Sequence, residues 1–197
     1  MTPAPPLPAS CGVAFKEWAG ICDALAEGRQ SLILRKGGIA EGPTGFVPEH
    51  PAFWLYPTHV HQAEQGLRIA PARPIPARPA AGMVEIRALA VVETIDYLDR
   101  PDVLPALEPW HVWTEETVEK RFHYRRPGLW VLGVRIFRRP GPWTIAETPA
   151  HAGCKTWVAL DPPPSTAGLV PVLGAAEHAR RQGRLRAALG TADGRAR

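Results

Sequence analysis

Alternating apolar and polar positions mark two long strands in the second half of the chain. Residues 83–95, MVEIRALAVVETI, place valine, isoleucine and alanine at every second position from 84 to 92, and the other face carries the charged residues Glu85, Arg87 and Glu93. Residues 129–137, LWVLGVRIF, repeat this alternation with Trp130, Leu132, Val134 and Ile136 on one face. The two segments predict the central strands of a sheet.

Helical spacing appears first near the amino terminus. Phe15, Trp18, Cys22 and Leu25 recur at intervals of three or four residues, and Gly28 follows. This predicts a helix over 13–27.

A second helix is predicted after Thr114, whose hydroxyl is suited to capping. Glu115 and Glu116 fall in its first turn and Lys120 and Arg121 near its end, which suits the helix dipole. A short helix is also predicted near 103–108.

Shorter apolar runs at 29–36, 52–56 and 156–160 predict further strands. Strands and helices do not alternate regularly, so the sheet is expected to be mixed or antiparallel and the fold class α+β.

The proline-rich stretch at 71–80 could separate two domains, but neither side of it has enough elements for a core of its own, so a single domain is predicted over 13–161. Residues 1–12 are rich in proline and alanine and are expected to be disordered, and PARPIPARPA at 71–80 forms a stiff loop within the domain. Residues 162–197 are predicted to be a proline-rich linker and a basic, disordered tail, in which 175–189 is at best a solvated helix.

The net charge of +4 changes little in this picture, because of where it lies. Residues 173–197 hold six arginines and two acidic residues, which equals the net charge of the whole chain. The remaining residues carry equal numbers of basic and acidic side chains, so the domain has no overall basic character.

The three cysteines have no regular spacing, which favours a reducing compartment over a disulfide scaffold. No signal-peptide pattern is present, and no apolar run approaches the roughly 20 residues that span a bilayer. We expect a cytoplasmic protein without membrane contact.

Residues 34–62 concentrate candidate chemistry between glycines and prolines. Arg35 and Lys36 precede Gly37-Gly38 at a strand end, where two cations and free backbone amides can hold a phosphate. A solvated hairpin turn is the alternative for these residues.

Aromatic and imidazole side chains supply a candidate nucleic-acid cleft. Tyr56, His61, His111 and Trp113 offer stacking faces and hydrogen-bonding groups, and Arg121 adds a cation beside Tyr124. Packing in the core is the alternative for each aromatic residue.

An enzyme is the main rival. Glu49, His50, His59 and His61 could serve a metal-dependent or acid–base hydrolase, but no pair has a diagnostic metal-ligand spacing. We expect no metal and no cofactor. A third alternative is an accessory subunit that docks on a partner.

Four segments in order, LRKGGI, EHPAFWLYPTHVHQ, HVWTEETVEKRF and AGCKTWVAL, resemble the bacterial family of the domain of unknown function 1802. Ala152 and Thr156 replace a glycine and a serine that are usual in it. The resemblance brings no established activity. Because some members are fused to restriction-endonuclease-like domains, it implies a role in restriction or DNA defence and such a domain as a possible partner.

The order of elements around GRQSLILR also resembles the PUA-like superfamily, particularly its ASCH and EVE branches. Gly28, Ser31 and Arg35 fit that pattern, while its glutamate is missing. This resemblance implies a small mixed β-barrel with flanking helices and a cleft for an RNA or a modified or flipped DNA base. The lysine and threonine of ASCH-like amidohydrolases fall on Gln30 and Ile33, so that activity is not implied.

Overall fold

A seven-stranded mixed sheet forms the centre of the protein and confirms the α+β class. The computed structural model describes residues 7–36, 46, 48–59, 66–68, 80–141, 143–153 and 155–193. Its strands are β1 (Val13–Trp18), β2 (Leu32–Arg35), β3 (Ala52–Thr58), β4 (Met83–Glu85), β5 (Ala88–Leu98), β6 (Leu129–Arg138), β7 (Thr144–Ala146), β8 (Trp157–Ala159) and β9 (Val170–Pro171). Its helices are α1 (Ala19–Ala26), α2 (Glu115–His123), α3 (Ala175–Asp193) and the 3-10 helices Pro101–Trp110 and Pro149–His151.

The two strongly alternating segments lie at the centre of the sheet. β5 and β6 pair antiparallel from Ala88↔Arg138 to Leu98↔Leu129, with a register shift between Val92 and Thr94. The first alternating segment is divided, because β4 leaves the sheet to pair with β7.

The sheet is open, which corrects the expectation of a closed barrel. Its order is β2-β6-β5-β3-β1-β8, with β9 also paired to β6, and no ladder joins β2 to β8 within the described residues. All pairs on this path are antiparallel except β1 with β3. Side chains bridge the two ends instead, since Arg35 of β2 donates to the Thr156 hydroxyl just before β8.

The first helix is shorter than its spacing predicted. Residues 13–18 form β1, and α1 begins only at Ala19. β1 pairs with β3 from Ala14↔Trp54 to Trp18↔Thr58 and with β8 on its other side. These ladders satisfy the backbone of residues 13–18 in extended form, so tertiary pairing outweighs the helical spacing.

Helix α2 begins where its cap was predicted. The Thr114 hydroxyl accepts from the backbone N–H of Thr117 at 3.3 Å, and Glu115 and Glu116 occupy the first turn. Only Val118 and Phe122 of this helix are buried, so one narrow side faces the core.

The carboxyl-terminal segment is folded onto the sheet, which corrects the prediction of a disordered tail. β9 pairs with β6, and α3 buries Leu185 and Leu189 together with His178 and Gln182. The His178 ring lies 2.8 Å from the Glu93 carboxylate of β5.

Residues near the amino terminus are also attached to this fold. The backbone N–H of Cys11 donates to the Pro164 carbonyl at 3.0 Å, and that of Thr166 donates to the Ala9 carbonyl. Residues 1–6, half of the predicted disordered end, and 71–79, all but one residue of the predicted loop, lie outside the described residues.

Apolar side chains of the described residues form two clusters. The larger contains Phe15, Leu25, Phe53 and Val131 together with Trp113. The smaller is built around Trp54, Leu89 and Val158, and it also holds Tyr56. Within the described ranges, no helix is both long and apolar enough to cross a membrane.

Candidate functional site

Charged and aromatic side chains meet where β1, β2 and α2 come together. Glu17 and Trp18 end β1, Arg35 ends β2, Trp113 precedes α2, and Arg121 lies in the last turn of α2. We call these five residues the Glu17–Arg121 cluster. It joins three residues predicted to bind nucleic acid, Arg35, Trp113 and Arg121, to two that were not predicted.

Glu17 places a carboxylate inside the protein, with the residue only 3% exposed. Its Oε1 accepts the backbone N–H of Trp18 at 2.8 Å. Its Oε2 is buried and has no hydrogen-bond partner among the residues that the structure describes. Because burying an incompletely paired carboxylate is unfavourable, Glu17 requires a reason beyond packing.

Arg121 lies between two indole rings. Its guanidinium carbon is 3.9 Å from the ring centre of Trp113 and 4.5 Å from that of Trp18. Nη1 donates to the Leu34 carbonyl at 3.3 Å. Burial lowers the pKa of Arg121, the Glu17 carboxylate opposes that effect, and the charge of Arg35 adds to it. The charges of both Glu17 and Arg35 therefore act on the Arg121 guanidinium.

Trp113 contributes a hydrogen-bond donor as well as an aromatic face. The residue is fully buried, and its ring meets that of Trp18 edge to face at 4.8 Å between centres. No described residue accepts a hydrogen bond from its indole N–H. The cluster thus holds one unpaired donor beside an arginine and one unpaired acceptor in Glu17.

Arg35 connects the cluster to the start of β8. Its guanidinium lies over the rings of Phe15 and Phe46, at 5.1 and 6.0 Å, and donates to Thr156. It is partly buried rather than displayed at a strand end. The phosphate-binding turn predicted at Gly37-Gly38 lies outside the described residues.

Lys36 has a structural role that the phosphate prediction missed. Its ammonium donates to the carbonyls of Phe122 at 2.8 Å, Gly128 at 2.7 Å and Arg126. An ammonium has three hydrogens, so these three carbonyls use all of them. Desolvation, with a smaller effect of the Arg126 charge, lowers the pKa of Lys36.

Tyr56 lies away from the cluster, in the smaller apolar group. Its hydroxyl is 3.3 Å from the Glu147 carboxylate, and its ring is 5.8 Å from that of His151. Burial, followed by the effect of Glu147, raises the pKa of Tyr56. Tyr56, which was predicted for the cleft, is therefore not part of the Glu17–Arg121 cluster.

His111 is a buried imidazole close to a cation. Burial and the nearby Arg68 lower its pKa to about 4. No described residue bonds its Nδ1. His111 therefore remains neutral at physiological pH.

The alternative hydrolase residues do not form a group in the described part of the chain. Glu49 is exposed, whereas His50 lies edge-on against Trp157 at 4.8 Å between ring centres. Among the described residues, no three His, Cys, Asp or Glu side chains are placed to hold a metal ion. His61, which was predicted for both the cleft and the hydrolase, lies outside these residues.

Sequence reasoning missed Glu17 and Trp18 because both were placed in the predicted first helix. A signal was present, since two charged residues, Lys16 and Glu17, stand between the aromatic residues Phe15 and Trp18. In the observed strand, alternation directs Phe15 and Glu17 to the same face.

Comparisons with known proteins identify a family and one solved structure. The profile described as Domain of unknown function (DUF1802) matches residues 14–184. A crystal structure of a serine-to-alanine mutant of the ZmASCH protein from Zymomonas mobilis is similar at 13% identity and a TM-score of 0.44, over 91% of this chain and 99% of that one. Similarity at that level supports no inference about function. No curated protein sequence matches.

Proposed function

This chain belongs to the family described as Domain of unknown function (DUF1802), and within it we propose that the domain recognises a nucleic-acid base without catalysing a reaction. The observation that carries the proposal is the Glu17–Arg121 cluster. It combines aromatic faces with a buried acceptor, Glu17 Oε2, and a buried donor, the Trp113 indole, that described residues leave unpaired.

Nucleobases have the matching chemistry. A base is planar and presents N–H donors and carbonyl or ring-nitrogen acceptors along one edge. Proteins that read unpaired bases stack them on aromatic or guanidinium planes and bond these edges. In the cluster, Trp18, Trp113 and Arg121 supply the planes.

Charge favours a base over a phosphate at this place. A phosphate beside Arg35 and Arg121 would also lie near the buried Glu17 carboxylate, whose charge Arg121 feels. Like charges in a poorly solvated site repel strongly. The arginines are therefore suited to a neutral or partly charged group, such as a carbonyl of a base.

Access to the cluster requires a local change, because Trp113 and Glu17 are buried. Extrusion of a base into a pocket is the expected mode for a flipped or modified base. The proposed biological setting, restriction and defence or RNA metabolism, follows from the family resemblance, as does a restriction-endonuclease-like partner.

The test is a binding panel. Fluorescence anisotropy with single-stranded RNA and DNA homopolymers of each base should show binding by the wild type with a preference among bases. Glu17→Gln keeps the side-chain shape but removes the charged acceptor. Loss of a hydrogen bond to a charged group is worth about 1.5–3 kcal/mol, so affinity for the preferred base should fall roughly tenfold or more.

The matched control is Glu119→Gln, which changes an exposed carboxylate on α2. It should bind as the wild type does, and unfolding curves for each variant establish that the fold is intact. Absence of binding by the wild type to every oligonucleotide would refute the proposal. Equal affinity and base preference in Glu17→Gln would exclude the cluster as the site.

A further inference from the structure

An exposed basic loop follows helix α2 and lies beside the cluster. In this loop, which we define as Tyr124, Arg125 and Arg126, Tyr124 is 49% exposed and both arginines are exposed. The Arg125 guanidinium carbon is 5.3 Å from the Tyr124 ring centre. No ion pair between described residues includes either arginine. The loop presents two cations and an aromatic ring to solvent.

The backbone of the basic loop is held in a conformation that its sequence does not favour. Arg125 has a φ of 61°, in the left-handed region that side chains disfavour. The backbone N–H of Arg126 donates to the Tyr124 carbonyl at 2.8 Å, and that of Gly128 to the Phe122 carbonyl at 3.1 Å. These bonds maintain a conformation that an isolated peptide would leave.

Lys36 provides the long-range support. Its ammonium donates to the carbonyls of Phe122 and Gly128, on both sides of the basic loop, and to that of Arg126 inside it. Lys36 is thus a positioning residue that fixes the direction of the two arginines.

The loop and the cluster share the same supporting elements. Arg121 lies three residues before Tyr124 on α2, and Lys36 directly follows Arg35 of β2. Tyr97, which is 45% exposed, lies against Gly128 and packs on Trp130 at 5.0 Å between ring centres. A strand of nucleic acid at the cluster would therefore pass close to exposed cations and exposed aromatic rings.

We infer that the basic loop binds the sugar–phosphate backbone of the single-stranded nucleic acid whose base occupies the Glu17–Arg121 cluster. The inference rests on the proposed function and assigns the base and the phosphates of the ligand to different places. Glu17 disfavours phosphate inside the cluster, so cations outside it must neutralise the backbone. Arg125 and Arg126 are placed for this, and Tyr97 and Tyr124 are available to stack on neighbouring bases.

Salt dependence of binding tests the inference. Each phosphate neutralised on a single strand contributes about 0.7 to the slope of log affinity against log salt concentration. The double variant Arg125→Ala/Arg126→Ala should make that slope shallower by about 1 to 1.5. Its preference among homopolymers should be unchanged. Arg184→Ala with Arg186→Ala removes the same charge from exposed positions of α3 and should leave the slope unchanged.

The outcomes distinguish the two proposals. If the loop variant keeps the wild-type slope, or the α3 control loses as much, the inference is overturned while base recognition stands on the Glu17→Gln result. If the wild type binds no oligonucleotide, both are overturned. In the loop variant, adding Lys36→Met should have no further effect on the slope; a further decrease would mean that Lys36 contacts phosphate itself and would overturn its positioning role.

Discussion

At the scale of single residues, this protein places several ionisable groups fully or partly inside, where β1, β2 and α2 meet. Glu17 and Arg121 lie among tryptophan rings, and the charge of Glu17 affects Arg121. Lys36 instead directs its charge to three backbone carbonyls. Residues adjacent in sequence, Arg35 and Lys36, therefore have different roles, which follow from the partners that the fold brings to each.

His111 gives a prediction for pH. Its pKa is lowered to about 4 in the folded state, from an ordinary value of 6.5. The unfolded chain binds more protons between these values, so this contribution to stability is complete above pH 6.5 and is lost as pH falls towards 4. At about 1.4 kcal/mol per pKa unit, the loss is at most about 3.5 kcal/mol.

The measurement is chemical denaturation of His111→Gln and the wild type between pH 7 and pH 4. The variant should lose less stability than the wild type across this range. Replacing the exposed His123 in the same way serves as the control and should leave the wild-type profile unchanged. Parallel curves for His111→Gln and the wild type would contradict the prediction.

At the scale of elements, sequence patterns predicted those strands and helices that depend mainly on their own residues. β6 was predicted because its apolar positions face a core, and α2 because Thr114 and two glutamates form a local start signal. β1 was missed because its backbone partners, β3 and β8, are remote in sequence. The positions of Glu17 and Trp18 in the site depended on that pairing.

Helix α3 was underestimated for a related reason. Its buried apolar positions, Leu185 and Leu189, are four residues apart, but arginines surround them in the sequence. The surface that receives them is made by other elements. Gly133 of β6 is part of that surface. A side chain there would overlap the Thr94 hydroxyl and crowd Gln182 of the helix. A lone apolar pair cannot reveal such a surface.

The docked helix gives a prediction for stability. Leu185 is fully buried, so Leu185→Ala should lower the free energy of unfolding by about 2–5 kcal/mol, as leucine truncations in cores do. Arg186→Ala changes an exposed position one residue further on and should lie within about 0.5 kcal/mol of the wild type. Urea denaturation of both variants provides the comparison. Equal stabilities would show that the helix does not dock in solution.

At the scale of the whole molecule, both ends of the described chain contribute to one folded unit. The amino-terminal segment forms backbone hydrogen bonds with Pro164 and Thr166, and the helix beyond them packs on the 3-10 helix Pro101–Trp110. The Trp110 indole donates to the Arg181 carbonyl at 3.2 Å, and Arg181 donates to the Gly28 carbonyl at 2.6 Å. The basic helix is therefore joined to the turn between α1 and β2 and to the 3-10 helix before α2.

Removing residues 173–197 tests directly whether the carboxyl-terminal helix belongs to the folded unit. The truncation takes away Leu185 and Leu189, and burial of each leucine is worth about 1.5–3 kcal/mol. It also leaves the Glu93 carboxylate without His178. We expect a loss of at least about 3 kcal/mol, which for a chain of this size lowers the thermal midpoint by roughly 6–12 °C.

The shorter truncation after Asp193 removes two of the six arginines but no buried side chain of the described residues, and its midpoint should match that of the wild type. Calorimetry on the three proteins decides the question: if both truncated proteins melt with the wild type, the carboxyl-terminal helix does not contribute to the folded unit.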